Sequence, residues 1–559
     1  MLEISASKAS PWPRFDFWRL MSFLAVGIFL LLLIYPLGWM LGTSFITTDP
    51  GDTNLLGVYF DLFSKPYYYQ ALRNSIVLSL VATCGALALG VPLAYIVSRF
   101  NIPGKLAIRA AIVLSFVAPP FIGAYSWILL LGNNGILRRV LADLGMQFPT
   151  IYGWGGLILV LSLQGMPFIF LLTSAALKTV DQSVEDAAIN LGRRPFAAFR
   201  TAILPLLLPG ISTAALLVFV TAFSDFGTPA IIGQNLRVFP RLIYSEFVNE
   251  TTGGNYTLAS ALSVVLLLAS VGALIIQRLY AARHSYGAIT VNPLRPRMLP
   301  LGKRIVAAMY AYAVILLASL PLLTVIVTSF LRTKRSVITG EFTLDGYLRA
   351  PRLWSSFLNT LTYTTLATVI CVALGCIIGY IISRRKTRLG AMLDFASMMP
   401  YAVAGVVFGI AYSATFGGSP FFLAGTALIL ILVYVIRRLP YSIRSVSSML
   451  AQMGTDAEEA SINLGVPPGR TFWRITIPMI QPAILSGALL TWATVIREFN
   501  ATVILYGTNT MTMSVEVFRQ VVAGNFGDAS VVGTVLIAIS LVPIVILFSI
   551  LGKDEEFLV

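Results

Sequence analysis

The run Glu185-Asp186-Ala187-Ala188-Ile189-Asn190-Leu191-Gly192 returns 273 residues later as Glu458-Glu459-Ala460-Ser461-Ile462-Asn463-Leu464-Gly465. Each copy is followed at the same distance by a proline, Pro205 and Pro478. Other positions keep step. Gly90, Tyr95, Ser98 and Arg99 recur as Gly375, Tyr380, Ser383 and Arg384, and Asn74 as Asn359, all shifted by 285. Asp225-Phe226 recurs as Glu498-Phe499 at a shift of 273, and Gly254-Asn255 as Gly524-Asn525 at 270. A sequence with this pattern folds as two like halves.

The medium of that fold follows from composition. Of 559 residues 57% are hydrophobic and only 11% charged, against roughly 25% charged in soluble domains. With about 20 mainly apolar residues needed per bilayer span, segments fall near 20–41, 74–97, 110–131, 155–177, 207–232 and 258–277. A second six fall near 305–330, 359–382, 393–416, 421–436, 482–505 and 531–551. The expected fold is all-α and integral to the membrane, with twelve transmembrane helices. Six spans per half is an even number, so both halves enter the bilayer from the same side and the six-helix repeats are parallel. The domains read as 1–290, with a polar loop at 178–205, and 305–559, with its counterpart at 447–478. The Pro-rich basic stretch Val291–Arg297 lies in a linker at 291–304.

The net charge of +15 is a membrane signature here and not a nucleic-acid face. With the amino terminus cytoplasmic, basic clusters follow the even-numbered segments at Ser98-Arg99, Arg278 to Arg283, Arg384-Arg385-Lys386 and Arg437-Arg438, the positive-inside bias. One external loop breaks the bias with Arg332, Lys334, Arg335, Arg349 and Arg352. It suits an acidic partner or anion no better than it suits plain solvation. Lys8, Arg14 and Arg19 precede a first apolar run too long for a cleaved signal. Cys84, Cys371 and Cys376 all fall within spans, so no disulfide framework is implied.

Both copies of the repeated motif lie between the fourth and fifth segments of their half, on the inner side. The acidic pair sits early in a short helix, where it suits the positive end of the helix dipole. Gly192 and Gly465 close that helix in the left-handed conformation. A second helix follows with Phe196 and Phe199, or Phe472 and Trp473, and Pro205 or Pro478 opens the next span.

The acidic-Ala-Ala pattern, a Gly further on and a distal Ile-x-Leu-Pro resemble the "EAA" loop of permease subunits from binding-protein-dependent ABC importers. Ser461 replaces one alanine, Ala202 the isoleucine and Ile477 the leucine. The resemblance covers essentially the whole chain as two fused six-span, type I importer permease domains. It implies that Glu185, Asp186, Ala187, Ala188, Gly192 and Pro205, with Glu458, Glu459, Ala460, Gly465 and Pro478, belong to loops that couple to two copies of a soluble ATPase. ATP and Mg would sit on those partners. A periplasmic binding protein would deliver the substrate, and the bacterial inner membrane would hold the multi-pass chain. Fused permeases of this kind resemble ferric-iron importers, and Ala118 to Trp127 has the look of that group. Thiamine, phosphonate, sulfate and polyamine permeases share the plan.

No Gly-x-x-x-x-Gly-Lys-Ser/Thr loop is present, so the chain is not expected to be an enzyme or to bind a cofactor itself. His284 is the single histidine. Cys371 and Cys376 lie about 140° apart on a helix, so no metal cage is legible. Asp225 and Glu498 are the acidic positions repeated in register near membrane depth. Such groups usually face a cavity or each other, so they are candidates for lining a pathway; the alternative is that Glu498 only pairs with a nearby base, or that both lie toward the external interface. An ion-coupled twelve-span transporter is the alternative class, but it has no use for duplicated docking loops.

Overall fold

Apolar stretches of bilayer length must satisfy their backbone internally, which leaves them helical. The computed structural model describes residues 17–46, 56–117, 119–146, 150–248, 254–283, 296–334, 337–349, 352–385 and 387–551. Lys8, Arg14, Ala118, His284, residues 291–295, Arg335 and Lys386 lie outside them. Eight described helices are long and apolar enough to cross a membrane, and ten if each of two bent pairs counts as one span.

The expected spans differ from the structure at breaks that occur in matching places. The third segment is two helices, Lys105–Val117 and Pro120–Leu131, and the ninth is Arg388–Ala402 and Gly405–Phe416, bent by 108°. The second helix of each pair begins and ends 285 residues apart. Pro119 and Ala404, one residue before each, are both extended, with ψ of 128° and 147°. The Pro119-Pro120 pair explains the first break, because neither residue can donate to a helical ladder. The fifth segment stops as a helix at Phe223 and resumes at Gly227–Ile232. The eleventh stops at Val495 and resumes at Thr502–Leu505. The expected short tenth segment is instead the 26-residue helix Ala427–Gln452, in register with Trp154–Lys178 at a shift of 273. Between the third and fourth elements the shift drops from 285 to 273. The first half therefore carries twelve extra residues there, including the helix Ile136–Asp143.

The chain divides into two compact units that do not follow the halves. One gathers the described residues up to Ile34 with Thr368–Pro400 and Val435–Thr491. The other holds Tyr35–Ala367, Tyr401–Tyr434 and the described residues from Trp492 onward. In the larger unit, Pro66–Arg99 packs along Trp154–Lys178 and Leu204–Phe223. Gly90 permits the approach, since a Cβ there would lie 2.7 Å from Cβ of Ile169. In the smaller unit Gly375 does the same against Ser442, where a Cβ would come within 2.5 Å. These are the repeat-equivalent positions. Small residues let membrane helices pack backbone to backbone.

Hydrogen bonds repeat as well. Phe239 N donates to Ser75 Oγ at 2.7 Å, and Met513 N to Thr360 Oγ1 at 2.8 Å. Asn74 Nδ2 donates to the Arg237 carbonyl at 3.1 Å, and Asn359 Nδ2 to the equivalent Met511 carbonyl at 3.0 Å. The one described sheet is an antiparallel hairpin, Leu331–Lys334 with Val337–Phe342, after the seventh span. Arg332 from the basic loop is spent there in an exposed ion pair with Glu341 at 3.1 Å.

Candidate functional site

The first duplicated loop begins at Asp181, whose carboxylate accepts the Ser183 N–H at 2.9 Å and so caps the helix Gln182–Asn190. The helix ends in a Schellman turn. Gly192 N donates to the Ile189 carbonyl at 2.9 Å and Arg193 N to the Ala188 carbonyl at 3.1 Å. Gly192 has φ of +82°. The second copy, Asp456–Asn463, closes identically: Gly465 N to Ile462 at 2.9 Å, Val466 N to Ser461 at 3.1 Å, and φ of +85° at Gly465. Leu191 and Leu464, just before the glycines, are each 85% exposed. Each loop therefore presents an apolar tip.

Downstream, both copies widen into a π-helical turn, Phe199–Ile203 and Phe472–Thr476. Leu204 N donates to the Phe199 carbonyl and Ile477 N to the Phe472 carbonyl. The prolines explain the register change. Pro205 and Pro478 have no N–H for the ladder, and the turn before each takes an i to i−5 bond instead.

The acidic pair of each copy divides its work. Glu185 is 2% exposed and accepts from Arg99 Nη2, itself 2% exposed, at the end of the second span. Arg297 Nη1 reaches the other Glu185 oxygen at 3.0 Å, and its Nη2 reaches Asp186 at 3.2 Å. In the second copy, Arg384 Nε donates to Glu458 Oε1 at 3.3 Å and Tyr380 OH to Glu458 Oε2 at 3.1 Å. Arg384 also donates to the carbonyls of Met453 at 3.1 Å and Gly454 at 3.0 Å. Arg99 and Arg384 are repeat partners, as are Glu185 and Glu458. One buried bridge thus ties each loop to the end of its own half's second span. Removing one partner of such a bridge leaves a stranded charge and typically costs about 3–5 kcal/mol.

Aromatic rings support the same junctions. Tyr95 lies 4.1 Å from Phe199 between ring centroids, and its partner Tyr380 lies 5.1 Å from Phe472. Trp18 stacks on Tyr380 at 4.2 Å and meets Phe472 edge-on at 5.1 Å.

The acidic residues at membrane depth sit where the fifth segments break. Both oxygens of Asp225 accept backbone N–H groups, from Gly227 at 3.2 Å and Thr228 at 3.3 Å. Glu498 Oε1 accepts the Ala501 N–H at 3.3 Å. Each carboxylate therefore caps the short helix that follows it, and both are buried. Beside them, Phe226 and Phe499 face each other at 5.9 Å, with Phe121 4.7 Å and Phe518 5.1 Å from Phe499, and Tyr244 4.6 Å from Phe226. Phe226 and Phe499 are repeat partners, so equivalent parts of the two halves meet in one aromatic layer. Gly227 lies against it, where a Cβ would come within 2.9 Å of Phe121 and 3.0 Å of Phe499.

Set against known proteins, the chain matches the family described as binding-protein-dependent transport system inner membrane component over residues 86–286 and 383–553. The chain belongs to this family. The permease is 26% identical to the ferric transport system permease protein FbpB of Actinobacillus pleuropneumoniae, over 88% of this chain and 73% of that one. It is 24% identical to the Fe(3+)-transport system permease protein FbpB 2 of Haemophilus influenzae, over 87% and 91%. The molybdenum transport system permease protein ModB of Escherichia coli is 29% identical but covers only 37% of this chain. The permease is accordingly a multi-pass inner-membrane component of an importer that works with an ATPase and a periplasmic binding protein, and is not the catalytic subunit.

Within the permease the expected residues fall into two sets. Glu185, Asp186, Ala187, Ala188, Gly192 and Pro205 come together in one hairpin, and Glu458, Glu459, Ala460, Gly465 and Pro478 in the other. Asp225 and Glu498 belong to the broken fifth segments. The residues missed from sequence are Arg99, Arg297, Arg384, Tyr380 and Trp18. By sequence Arg99 and Arg384 read as ordinary inner-side charges, yet Arg99 is as buried as the glutamate it serves. Their signal is in the sequence: an arginine repeated at 285 and a glutamate repeated at 273 form an acid–base pair that occurs twice in the chain. Phe196 belongs to the helix Pro195–Ala198, but its side chain lies outside what is described. Cys371 and Cys376 are buried, Cys84 is exposed, and the Cys371 thiol lies 3.4 Å from the Val435 carbonyl. Among the described residues no group of three or more His, Cys, Asp or Glu is arranged to hold a metal.

Proposed function

We propose that this permease forms the translocation pathway of an ATP-driven importer for ferric iron handed over by a periplasmic binding protein. The ferric-transport permeases, alignable over most of the chain, support the cargo. The doubled hairpin, braced by a buried Arg–Glu bridge and tipped by an exposed leucine, is the observation that carries the mechanism. In this reading Gln182–Asn190 and Asp456–Asn463 are coupling helices, each seated in one of two ATPase subunits that bind ATP and Mg. The domains run 1–290 and 305–559 around a linker at 291–304, and the amino terminus is cytoplasmic, as the placement of basic clusters supports. Native mass spectrometry of the purified complex is expected to give one permease to two ATPases; a one-to-one ratio would remove one dock.

Asp225 and Glu498 belong to the pathway in this reading. Their matching breaks and the aromatic layer beside them support the assignment. The carboxylates hold the backbone turn from which Phe226 and Phe499 project, and their charge favours a trivalent cation over an anion. The double variant D225N/E498Q is expected to slow uptake of labelled ferric iron into proteoliposomes at least tenfold while the complex still assembles. An unchanged rate takes both residues out of the pathway.

A further inference from the structure

The second arginine on Glu185 does not come from the first half. Arg297 stands in the linker, four residues before the helix Leu301–Ser329 that leads into the second half. Its backbone is stitched beside the end of the second span: Arg297 N donates to the Arg99 carbonyl at 2.8 Å, and Asn101 N to the Arg297 carbonyl at 3.2 Å. This is a parallel bridge between Phe100 and Arg297. Tyr312 OH, further along the same segment, donates to the Pro103 carbonyl at 2.9 Å. The guanidinium then spans both acids of the loop, Glu185 and Asp186. At the other loop a similar place is taken by the start of the first half, where Trp18 stacks on Tyr380 and meets Phe472 edge-on. Phe17 lies 3.7 Å from where a Cβ on Gly469 would be. Each loop is thus overlaid by the segment that leads into the opposite half, with a cation in one case and an aromatic in the other.

Resting on the coupling reading above, we infer that Arg297 is a positioning residue that holds the first coupling helix ready for its ATPase, and that Trp18 does this for the second. The two straps differ in physics. Arg297 is about a third exposed, so its contribution is electrostatic and screened by salt. Trp18 is buried and apolar, so its contribution is not. The first dock is therefore salt-sensitive and the second is not.

The test uses the whole importer in proteoliposomes, with Cys84 replaced by Ser. A single cysteine is introduced at the exposed equivalent positions, Asn190→Cys or Asn463→Cys, and cross-linked to the ATPase. R297Q is expected to lower the Asn190→Cys cross-link at least threefold, leave the Asn463→Cys cross-link unchanged, and raise the ATP hydrolysed per cargo transported. R297K is expected to restore most of the first cross-link. Raising salt is expected to reproduce R297Q in the unaltered chain, again at the first loop alone. Equal loss at both loops, no loss at either, or no rescue by lysine overturns the proposal. Absence of both cross-links in a chain carrying Arg297 overturns the coupling assignment beneath it.

Discussion

The two loops share a backbone and differ in how it is secured. Both end in a Schellman turn at a positive-φ glycine, both widen into a π-helical turn before a proline, and both bury the first glutamate under an arginine. The first loop then adds Arg297, giving Glu185 two guanidinium partners. The second has one guanidinium, a tyrosine hydroxyl and two carbonyl anchors on Arg384. A smaller difference lies in the hairpin itself. Ser461 and Thr471 share a buried hydrogen bond of 2.9 Å at the positions held by Ala188 and Ala198 in the first copy. In the coupling reading proposed above, the shared features would give the shape a partner recognises, and the divergent ones how each loop is held from behind. The two copies differ where a buried group has found another partner.

The sharpest way to break the comparison is to remove the glutamates. E185A strands a fully buried Arg99, and a loss of about 3–5 kcal/mol is expected. E458A should cost less, because Arg384 is partly exposed and keeps its two carbonyls. Thermal unfolding of the detergent-solubilised complex measures both; a larger loss for E458A would invert the asymmetry. Next come the glycines. Neither Gly192 nor Gly465 has an atom within 4 Å of a built Cβ, so a valine there meets only backbone strain, about 1–2 kcal/mol. G192V and G465V are therefore expected to impair coupled transport to a similar degree, read as uptake per ATP hydrolysed. Unequal effects would mean the turns are not mechanically equivalent. The smallest effect separates the hairpins. S461A or T471A alone strands a buried hydroxyl, at roughly 1–3 kcal/mol, whereas the double variant recreates the alanine pair of the first copy and is expected to be near neutral. A double-mutant cycle on stability reads this directly, and additive single losses would refute it.

Hydropathy made the membrane fold legible because burial in lipid demands long apolar runs, and the internal repeat fixed how those runs pair. It did not show that four of them break. At Pro119 and Ala404 the interruption leaves the neighbouring side chains apolar, and at the other two breaks Asp225 and the Arg497-Glu498 pair are outweighed by apolar neighbours, so window averaging passes over all four. The tenth span was shortened for the opposite reason: Arg437, Arg438 and Arg444 lie on one continuous helix, Ala427–Gln452, yet read as its end. At the site, the left-handed glycines were legible from residue type alone, since only glycine takes that conformation freely. The role of the glutamates was half legible. Their place near a helix start was clear, but their counter-ions lie 86 and 74 residues earlier in the chain. Asp225 and Glu498 were legible as a matched pair and not as helix caps, because capping depends on a break the hydropathy conceals.

The parallel bridge between Phe100 and Arg297 gives a reason for the fusion itself. In a permease assembled from two separate chains, the strand that carries Arg297 would begin near a free amino terminus, and its occupancy would follow subunit affinity. Here covalent continuity holds it near Glu185 at an effective concentration on the order of millimolar, whatever the abundance of the protein in the membrane. Joining the halves turns what would otherwise be an encounter into a fixed part of the architecture.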